Sequence, residues 1–142
     1  MLGKLAKWLR MIGYDILYQR SYREGDLIRL MAQGRRLLSR RMMAKAQHPG
    51  VILIQSVEVG EQLKELRDLG YLHLDRSKFF TRCLLCNVLL READLDSAGS
   101  DLPDYVYHEN PSVIRYCPEC DRFFWPGTHR ERMLKQLAGW GF

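Results

Sequence analysis

Long apolar runs are missing from this 142-residue sequence. No stretch approaches the roughly 18 consecutive apolar residues that a membrane-spanning helix requires. The basic start, MLGKLAKWLR, is not followed by the continuous apolar core of a signal peptide. Low-complexity segments are missing too, and 46% hydrophobic with 27% charged residues is a globular composition. We therefore expect a folded cytoplasmic protein that does not enter a membrane.

Acidic residues are scarce in the first third of the chain. Residues 1–47 hold three acids and eleven Lys or Arg, a net charge of +8, whereas the remaining residues carry a net charge of −3. Such segregation is typical of proteins that bind polyanions, because Lys and Arg displace counterions from phosphates. A solvated basic face that only keeps the protein soluble is the alternative.

Helical and strand patterns alternate along the first half. Leucines and isoleucines at helical spacing predict a basic amphipathic helix that ends at Gly13, and a second helix over residues 24–33. Residues 41–47 and 57–70 read as two more helices. Strands are predicted at YDILY (14–18), RRLLS (35–39) and VILIQS (51–56). This alternation predicts an α/β fold with a parallel sheet flanked by helices.

In a parallel sheet, ligands bind beyond the carboxyl ends of the strands. The segment SRR (39–41) lies in one such strand-to-helix loop, so Arg40 and Arg41 are expected at that edge. The first predicted helix has no strand before it, which is unusual for this architecture. A strand upstream of Met1 would account for this, and the sequence leaves that point open.

Cysteine occurs only four times, as the pairs Cys83-x-x-Cys86 and Cys117-x-x-Cys120. Two such pairs supply the four thiolates that tetrahedral zinc requires. A closed set of four cysteines leaves no open coordination position, so we expect structural zinc in a ribbon. Residues 87–116 are expected to form a loop or hairpin excursion between the two pairs.

Two disulfides or a redox pair are the alternatives for these cysteines. Disulfides do not suit a chain without a secretory signal, and a redox role for one C-x-x-C pair leaves the second pair unexplained. The four histidines have no paired helical spacing, and we expect solvent or capping roles rather than metal ligation for them (His48, His73, His108, His129).

The end of the chain carries an aromatic trio followed by a helix signal. Thr128-x-x-Glu131 is the capping-box pattern of a helix start and predicts a terminal helix. Phe123, Phe124 and Trp125 suit base stacking in principle, but aromatics beside a zinc knuckle more often pack in the core. We expect them to pack.

Four segments in this order closely resemble the Mut-seven C-terminal RNase domain family: MLGKLAKWLRMIGYD, GRRLLSR, FTRCLLCN and YCPECDRFFWPGTHRERM. The resemblance covers nearly the whole chain. It implies a PIN-like fold that carries a zinc ribbon, and an RNA phosphodiester hydrolysis that depends on a divalent metal. Clustered carboxylates would hold Mg²⁺ or Mn²⁺ at the carboxyl edge of the sheet, where the ion activates water and neutralises phosphate charge.

Two departures from the family pattern concern the acidic site. The family has a strand with an essential aspartate before the MLGKLA helix, and its LTRD motif reads LSRR here, which puts Arg41 in the position of an acid. Arginine cannot coordinate a cation but can grip a phosphate. The acids that remain as catalytic candidates are Glu24, Asp26 and Asp15.

Two functions from different classes follow from this reading. The first is a metal-dependent ribonuclease, and the second is a catalytically degenerate module that binds nucleic acid with its basic half. A basic docking surface for an acidic protein partner is a third interpretation. The candidate nucleic-acid-binding residues are Lys4, Lys7, Arg10, Arg35, Arg36, Arg40 and Arg41. We expect a PIN-like core at 1–75, a zinc ribbon at 76–127 and a terminal helix at 128–142.

Overall fold

The computed structural model describes residues 2–98, 102–109 and 111–142. Met1, where the predicted core begins, lies outside them, as do residues 99–101 and 110 of the predicted excursion. The chain divides into two compact units. The first comprises residues 1–8 and 16–74, and the second comprises residues 9–15 and 75–142. We describe each unit by itself.

The first unit contains helices and a small parallel sheet. Its elements are the start of α1 (Gly3–Met11), α2 (Glu24–Ala32), β1 (Leu38–Ser39), α3 (Met42–Gln47), β2 (Ile52–Leu53) and α4 (Val59–Asp68). Helix α3 connects β1 to β2 and contacts both strands. The strands pair in parallel, with Leu38 opposite Ile52 and Ser39 opposite Leu53. The predicted α/β class with a parallel sheet is confirmed.

Apolar periodicity explains why these segments fold as they do. Leu5 on α1, Ile54 after β2 and Leu63 on α4 are each at most 1% exposed. The α1 spacing brings Leu5 and Leu9 to the same buried side, while Lys4 and Lys7 stay exposed. Gly13 follows the helix with a φ of +104°, the left-handed conformation that glycine adopts without penalty.

The strand predicted over residues 14–18 is wrong. These residues are described throughout and form no strand. Leu17 and Tyr18 are 47% and 40% exposed, so the segment does not bury the alternate side chains that stabilise a strand. The other two predicted strands are present but shorter than their apolar runs.

The second unit contains a three-stranded antiparallel sheet and short helices. Its strands are β3 (Arg91–Glu92), β4 (Arg115–Tyr116) and β5 (Phe123–Phe124), in the order β3-β4-β5. The helices are α5 (Leu95–Ala98), α6 (Asp104–Glu109) and α7 (Thr128–Gly139), with 3₁₀ turns at Arg76–Lys78 and Pro111–Val113. The described part of the 87–116 excursion is therefore partly helical rather than a loop or simple hairpin.

Two of the three aromatic residues pack against the core as predicted, and Phe124 is not among them. Leu102, Val106 and Ile114 form a buried cluster, against which Phe123 and Trp125 are packed. The terminal helix starts at Thr128, but its N-cap is Gly127 and no side chain caps it. The helix prediction is therefore confirmed, whereas the predicted capping interaction is not formed.

Candidate functional site

The two C-x-x-C segments fold into matching knuckles. In the first, the Asn87 amide donates to the Cys83 carbonyl at 2.9 Å, and the Cys83 amide donates to the Val88 carbonyl at 2.9 Å. The second repeats both bonds at the same length, from Asp121 to Cys117 and from Cys117 to Arg122. Each knuckle thus turns both of its cysteines toward one point.

The residue after each pair closes its knuckle. Asn87 and Asp121 have φ angles of +71° and +58°, in the left-handed region that Asn and Asp tolerate better than most residues. Sequence reasoning missed these two positions. Their signal was the Asn or Asp immediately after each second cysteine.

The knuckles bring all four thiols together. The Sγ atoms of Cys83, Cys86, Cys117 and Cys120 all lie within 4.8 Å of one another. The Cys83 and Cys120 Sγ atoms are 3.8 Å apart, which matches the edge of about 3.8 Å that a ZnS₄ tetrahedron has at Zn–S distances of about 2.3 Å. All four cysteines are free, so the disulfide alternative finds no support. The donor set suits a thiophilic metal ion.

The protein environment alone does not favour four thiolates. Burial is the main cause that raises the pKa of the Cys83 thiol, and burial together with the Cys120 thiol raises the pKa of Cys86 to about 12. Burial also opposes ionisation of Cys117, but the amides of Cys120 and Glu119 donate to its sulfur and lower its pKa. A bound dication would supply the charge that stabilises all four thiolates.

Arg10 lies in the interior of the second unit rather than on an exposed basic face. Its side chain is 8% exposed, and its Nη1 donates to the carbonyls of Leu84 and Leu85 at 3.0 and 3.1 Å. These are the two residues between Cys83 and Cys86. Arg10 therefore holds the first knuckle in place, and its buried guanidinium is not placed to reach a phosphate in solution.

Asp15 also supports the first knuckle. Its Oδ1 accepts a 2.7 Å hydrogen bond from the Nδ2 of Asn87, which is 6% exposed. Asp15 belongs to the second unit, whereas the other two acidic candidates, Glu24 and Asp26, belong to the first.

Arg40 and Arg41 follow β1 at the carboxyl edge of the parallel sheet, as the sequence predicts. Both are exposed. The Arg41 amide donates to the Ser39 hydroxyl at 3.1 Å, which orders the backbone of this turn. Two consecutive residues therefore carry guanidinium groups at the edge of the sheet where parallel sheets bind their ligands.

The other basic candidates of the first unit differ in their surroundings. Lys4 and Lys7 are exposed on α1, and Arg35 is half-buried. The Arg36 guanidinium lies 4.9 Å from the ring centroid of Tyr71, a cation–π arrangement that restricts its motion.

Glu24 and Asp26 each have a partner within the first unit. Glu24 Oε1 lies 2.7 Å from His48 Nε2, and the Asp26 carboxylate accepts a 2.9 Å bond from Arg29. His48 precedes β2, at the amino edge of the sheet. The contact that Glu24 makes is thus with a residue at the edge opposite to the Arg40–Arg41 turn.

A further carboxylate binds the backbone of the loop that follows β2. Glu65 on α4 accepts hydrogen bonds from the Gln55 amide at 3.0 Å and from the Ser56 amide at 3.1 Å. Burial by itself would raise the pKa of Glu65, but these amide donors outweigh it and lower the pKa. Sequence reasoning missed Glu65 because the spacing of α4 reads only as an amphipathic helix.

Comparison with known proteins matches residues 1–137 to the model of the Mut7-C RNAse domain. The chain belongs to the Mut7-C RNAse domain family. No curated protein and no solved structure matched the chain. The resemblance stated from the sequence is therefore confirmed, and membership indicates a ribonuclease-like function that involves RNA.

Among the residues that the structure describes, the carboxylates of this Mut7-C domain do not gather into a metal site. Within residues 2–98, 102–109 and 111–142, the four cysteines are the only group of three or more His, Cys, Asp or Glu side chains with ligand atoms close together. Glu24 and Asp26 stand two positions apart on one helix, and side chains at that spacing do not face each other.

In this Mut7-C chain, no helix within the described residues is long and apolar enough to cross a membrane.

Proposed function

We propose that this Mut7-C domain binds RNA through its phosphates, using the exposed basic residues of its first unit. The observation that carries the proposal is the pair of exposed guanidiniums, Arg40 and Arg41, at the carboxyl edge of the sheet. The net charge of +8 over residues 1–47 supports it, because the surrounding field attracts a polyanion.

The proposed contacts are with backbone phosphates and carry little sequence preference. Guanidinium groups hold phosphate oxygens through paired hydrogen bonds, and ammonium groups hold them as point charges. Lys4, Lys7, Arg35 and Arg36 complete the set, and all belong to the first unit. Arg10 is left out of the set because its guanidinium is engaged by the first knuckle.

We also propose that the four cysteines hold zinc and that this zinc is structural. Four thiolates would close its coordination shell and leave no position for water or substrate. Its role would be to stabilise the predicted ribbon at 76–127, while residues 1–75 form the predicted PIN-like core that binds RNA.

Metal-dependent hydrolysis of RNA is the second candidate, and family membership favours it. Its acids would be Glu24, Asp26 and Asp15, and its cofactor Mg²⁺ or Mn²⁺. The described residues do not fit such an ion, because Glu24 is engaged by His48, Asp26 by Arg29 and Asp15 by Asn87. We therefore derive no hydrolytic step and regard binding as the function that the geometry supports best.

The test measures affinity for a labelled, mixed-sequence RNA over a range of salt concentrations. Arg40→Ala combined with Arg41→Ala is expected to weaken binding and to reduce the salt slope by about 1.4, since each lost single-strand contact removes about 0.7. Lys64→Ala combined with Arg67→Ala removes the same charge from α4 and is the matched control. Equal effects of the two double variants would contradict the proposal, and capture of an acidic protein with no RNA affinity would favour the docking interpretation.

A further inference from the structure

The second unit contains an open cleft that the zinc site and the basic surface of the first unit do not explain. Its walls come from the segment before the first knuckle, from β4 and β5, and from the first turn of α7. Its cavity volume is about 70 Å³, and it opens to solvent. Within the part of the chain that the structure describes, no Asp or Glu lines it, while three arginines do: Arg82, Arg115 and Arg130.

All three arginines are held by defined contacts, and Arg82 donates to the carbonyls of Gly13 and Asn87 at 3.2 and 2.9 Å. The other two contribute most to the cleft. Arg130 lies with its guanidinium 4.5 Å from the ring centroid of Phe80. Arg115 donates from Nη1 to the carbonyls of Ser112 and Ile114 at 3.0 and 3.3 Å. Both side chains are thus preorganised, which lowers the entropic cost of binding an anion.

The backbone at Phe80 is in a conformation that aromatic residues rarely adopt. Its φ is +57°, and its amide donates to the Met11 carbonyl at 2.7 Å. Such strain is tolerated where the surrounding structure fixes it, and it is concentrated at binding sites. Here the strained residue carries the ring on which Arg130 rests.

Aromatic side chains form the other part of the cleft. Phe124 pairs directly across the strands with Arg115, so their side chains emerge on the same face of the sheet. Trp125 is half-buried and packs against the Leu102 cluster, and a Cβ at Gly127 would meet its Nε1 at 3.2 Å. The ring is therefore fixed by its core contacts and by the turn that follows it.

We propose that this cleft is a second RNA site, which takes a single-stranded segment. A base would stack on Phe124 beside Trp125, and the flanking phosphates would contact Arg115 and Arg130. Half-exposed aromatics next to guanidiniums, without carboxylates in the lining, are the combination that binds single strands. Glu92 pairs with Arg115 across the strands and so lies on the same face of the sheet, but it is outside the lining of the cleft. The inference rests on the proposed RNA-binding function and adds the form of RNA that is recognised.

The experiment compares the affinities of the zinc-loaded full chain for single-stranded and duplex RNA of equal length. Phe124→Leu keeps an apolar side chain but removes the stacking face, and it is expected to weaken single-strand binding by roughly tenfold. Tyr105→Leu, an exposed aromatic outside the cleft, is its control. Arg130→Gln is expected to weaken the same binding at least about threefold, whereas Arg132→Gln, which removes an exposed charge from the same helix, is expected to change it little.

Ultraviolet cross-linking of the wild-type chain to a uridine-containing single strand gives a readout that does not depend on variants. The adduct is expected on the tryptic peptide of residues 123–130, FFWPGTHR. Unchanged zinc content and thermal unfolding of each variant verify that it is folded.

The outcomes separate this inference from the proposed function. Loss of affinity in the Phe124 and Arg130 variants, with an adduct on 123–130, supports the cleft. If both cleft variants bind RNA with normal affinity while the Arg40 and Arg41 double variant binds weakly, the cleft is not an RNA site and the proposed function stays in place. A wild-type chain that binds neither RNA would overturn both.

Discussion

Arg10 donates a 3.0 Å hydrogen bond to the carbonyl oxygen of Leu84, a residue 74 positions further along the chain. A helix that looks like a solvent-facing basic surface in the sequence therefore supplies the side chain that fixes the first knuckle. The bond is buried, so both partners were removed from water when it formed. This relationship gives Arg10 a structural role that differs from those of Lys4 and Lys7.

Arg10→Met should lower the free energy of unfolding by about 3 kcal/mol, because buried carbonyls lose a charged donor. Lys7→Met, on the exposed side of the same helix, should change it by less than about 0.5 kcal/mol. Denaturant unfolding of the two variants measures the difference. Equal destabilisation would show that the knuckle contact does not contribute, and lower RNA affinity in a folded Arg10→Met variant would restore Arg10 to the binding surface.

Asp15→Ala should destabilise the second unit by about 1 to 2 kcal/mol, because the buried amide of Asn87 loses an acceptor. Asp26→Ala removes a carboxylate from a surface pair with Arg29 and should cost less than about 1 kcal/mol. Thermal unfolding monitored by hydrogen exchange across residues 75–142 checks this. A normal second unit together with lost RNA cleavage would instead assign Asp15 a catalytic role.

The zinc account predicts one metal ion per chain in freshly purified protein. Cys86→Ser should lose the ion, and removing the metal by chelation should increase hydrogen exchange mainly within residues 75–142. Leu85→Ser, at a 54% exposed position between two ligands, should keep the metal. Metal-free protein with disulfides between these cysteines would contradict the account.

The stabilising contribution of Glu65 to the first unit should be lost in acid. The pKa of its carboxyl is lowered in the folded chain, so its hydrogen bonds to the Gln55 and Ser56 amides contribute stability above the unfolded pKa, and this contribution is lost as the pH falls through the folded pKa. Glu65→Gln should cost about 1 kcal/mol at pH 7 and progressively less toward pH 3. Urea unfolding across that range measures it, with Glu61→Gln as the exposed control. If the free energies of unfolding of wild type and Glu65→Gln differed by the same amount at every pH, the predicted loss of this contribution in acid would be contradicted.

Sequence patterns predicted the structure correctly where it depends on residues close together in the chain. The four cysteines could be assigned from spacing because thiolate coordination demands two close pairs, and the knuckles assemble them as expected. The helical spacing of Leu5 and Leu9 likewise predicted α1, since a helix face is set by residues three and four apart.

Sequence patterns failed to predict the structure where it depends on contacts between residues far apart in the chain. Residues 14–18 have strand-like composition, yet a strand requires a partner, and Asp15 contacts Asn87 instead. The burial of Arg10 depends on carbonyls that lie far along the chain, and no periodicity in α1 reveals them. Glu65 was missed for the same reason, because the amides that it binds belong to the loop after β2 rather than to its own helix.

The most direct measurement incubates a labelled, mixed-sequence RNA with the 142-residue chain in Mn²⁺ or in EDTA and records bound and cut RNA together. The account predicts salt-dependent binding in both conditions, weakened by Arg40→Ala with Arg41→Ala, and no metal-dependent cleavage. Cleavage in Mn²⁺ that Glu24→Ala abolishes would contradict it and establish the ribonuclease instead.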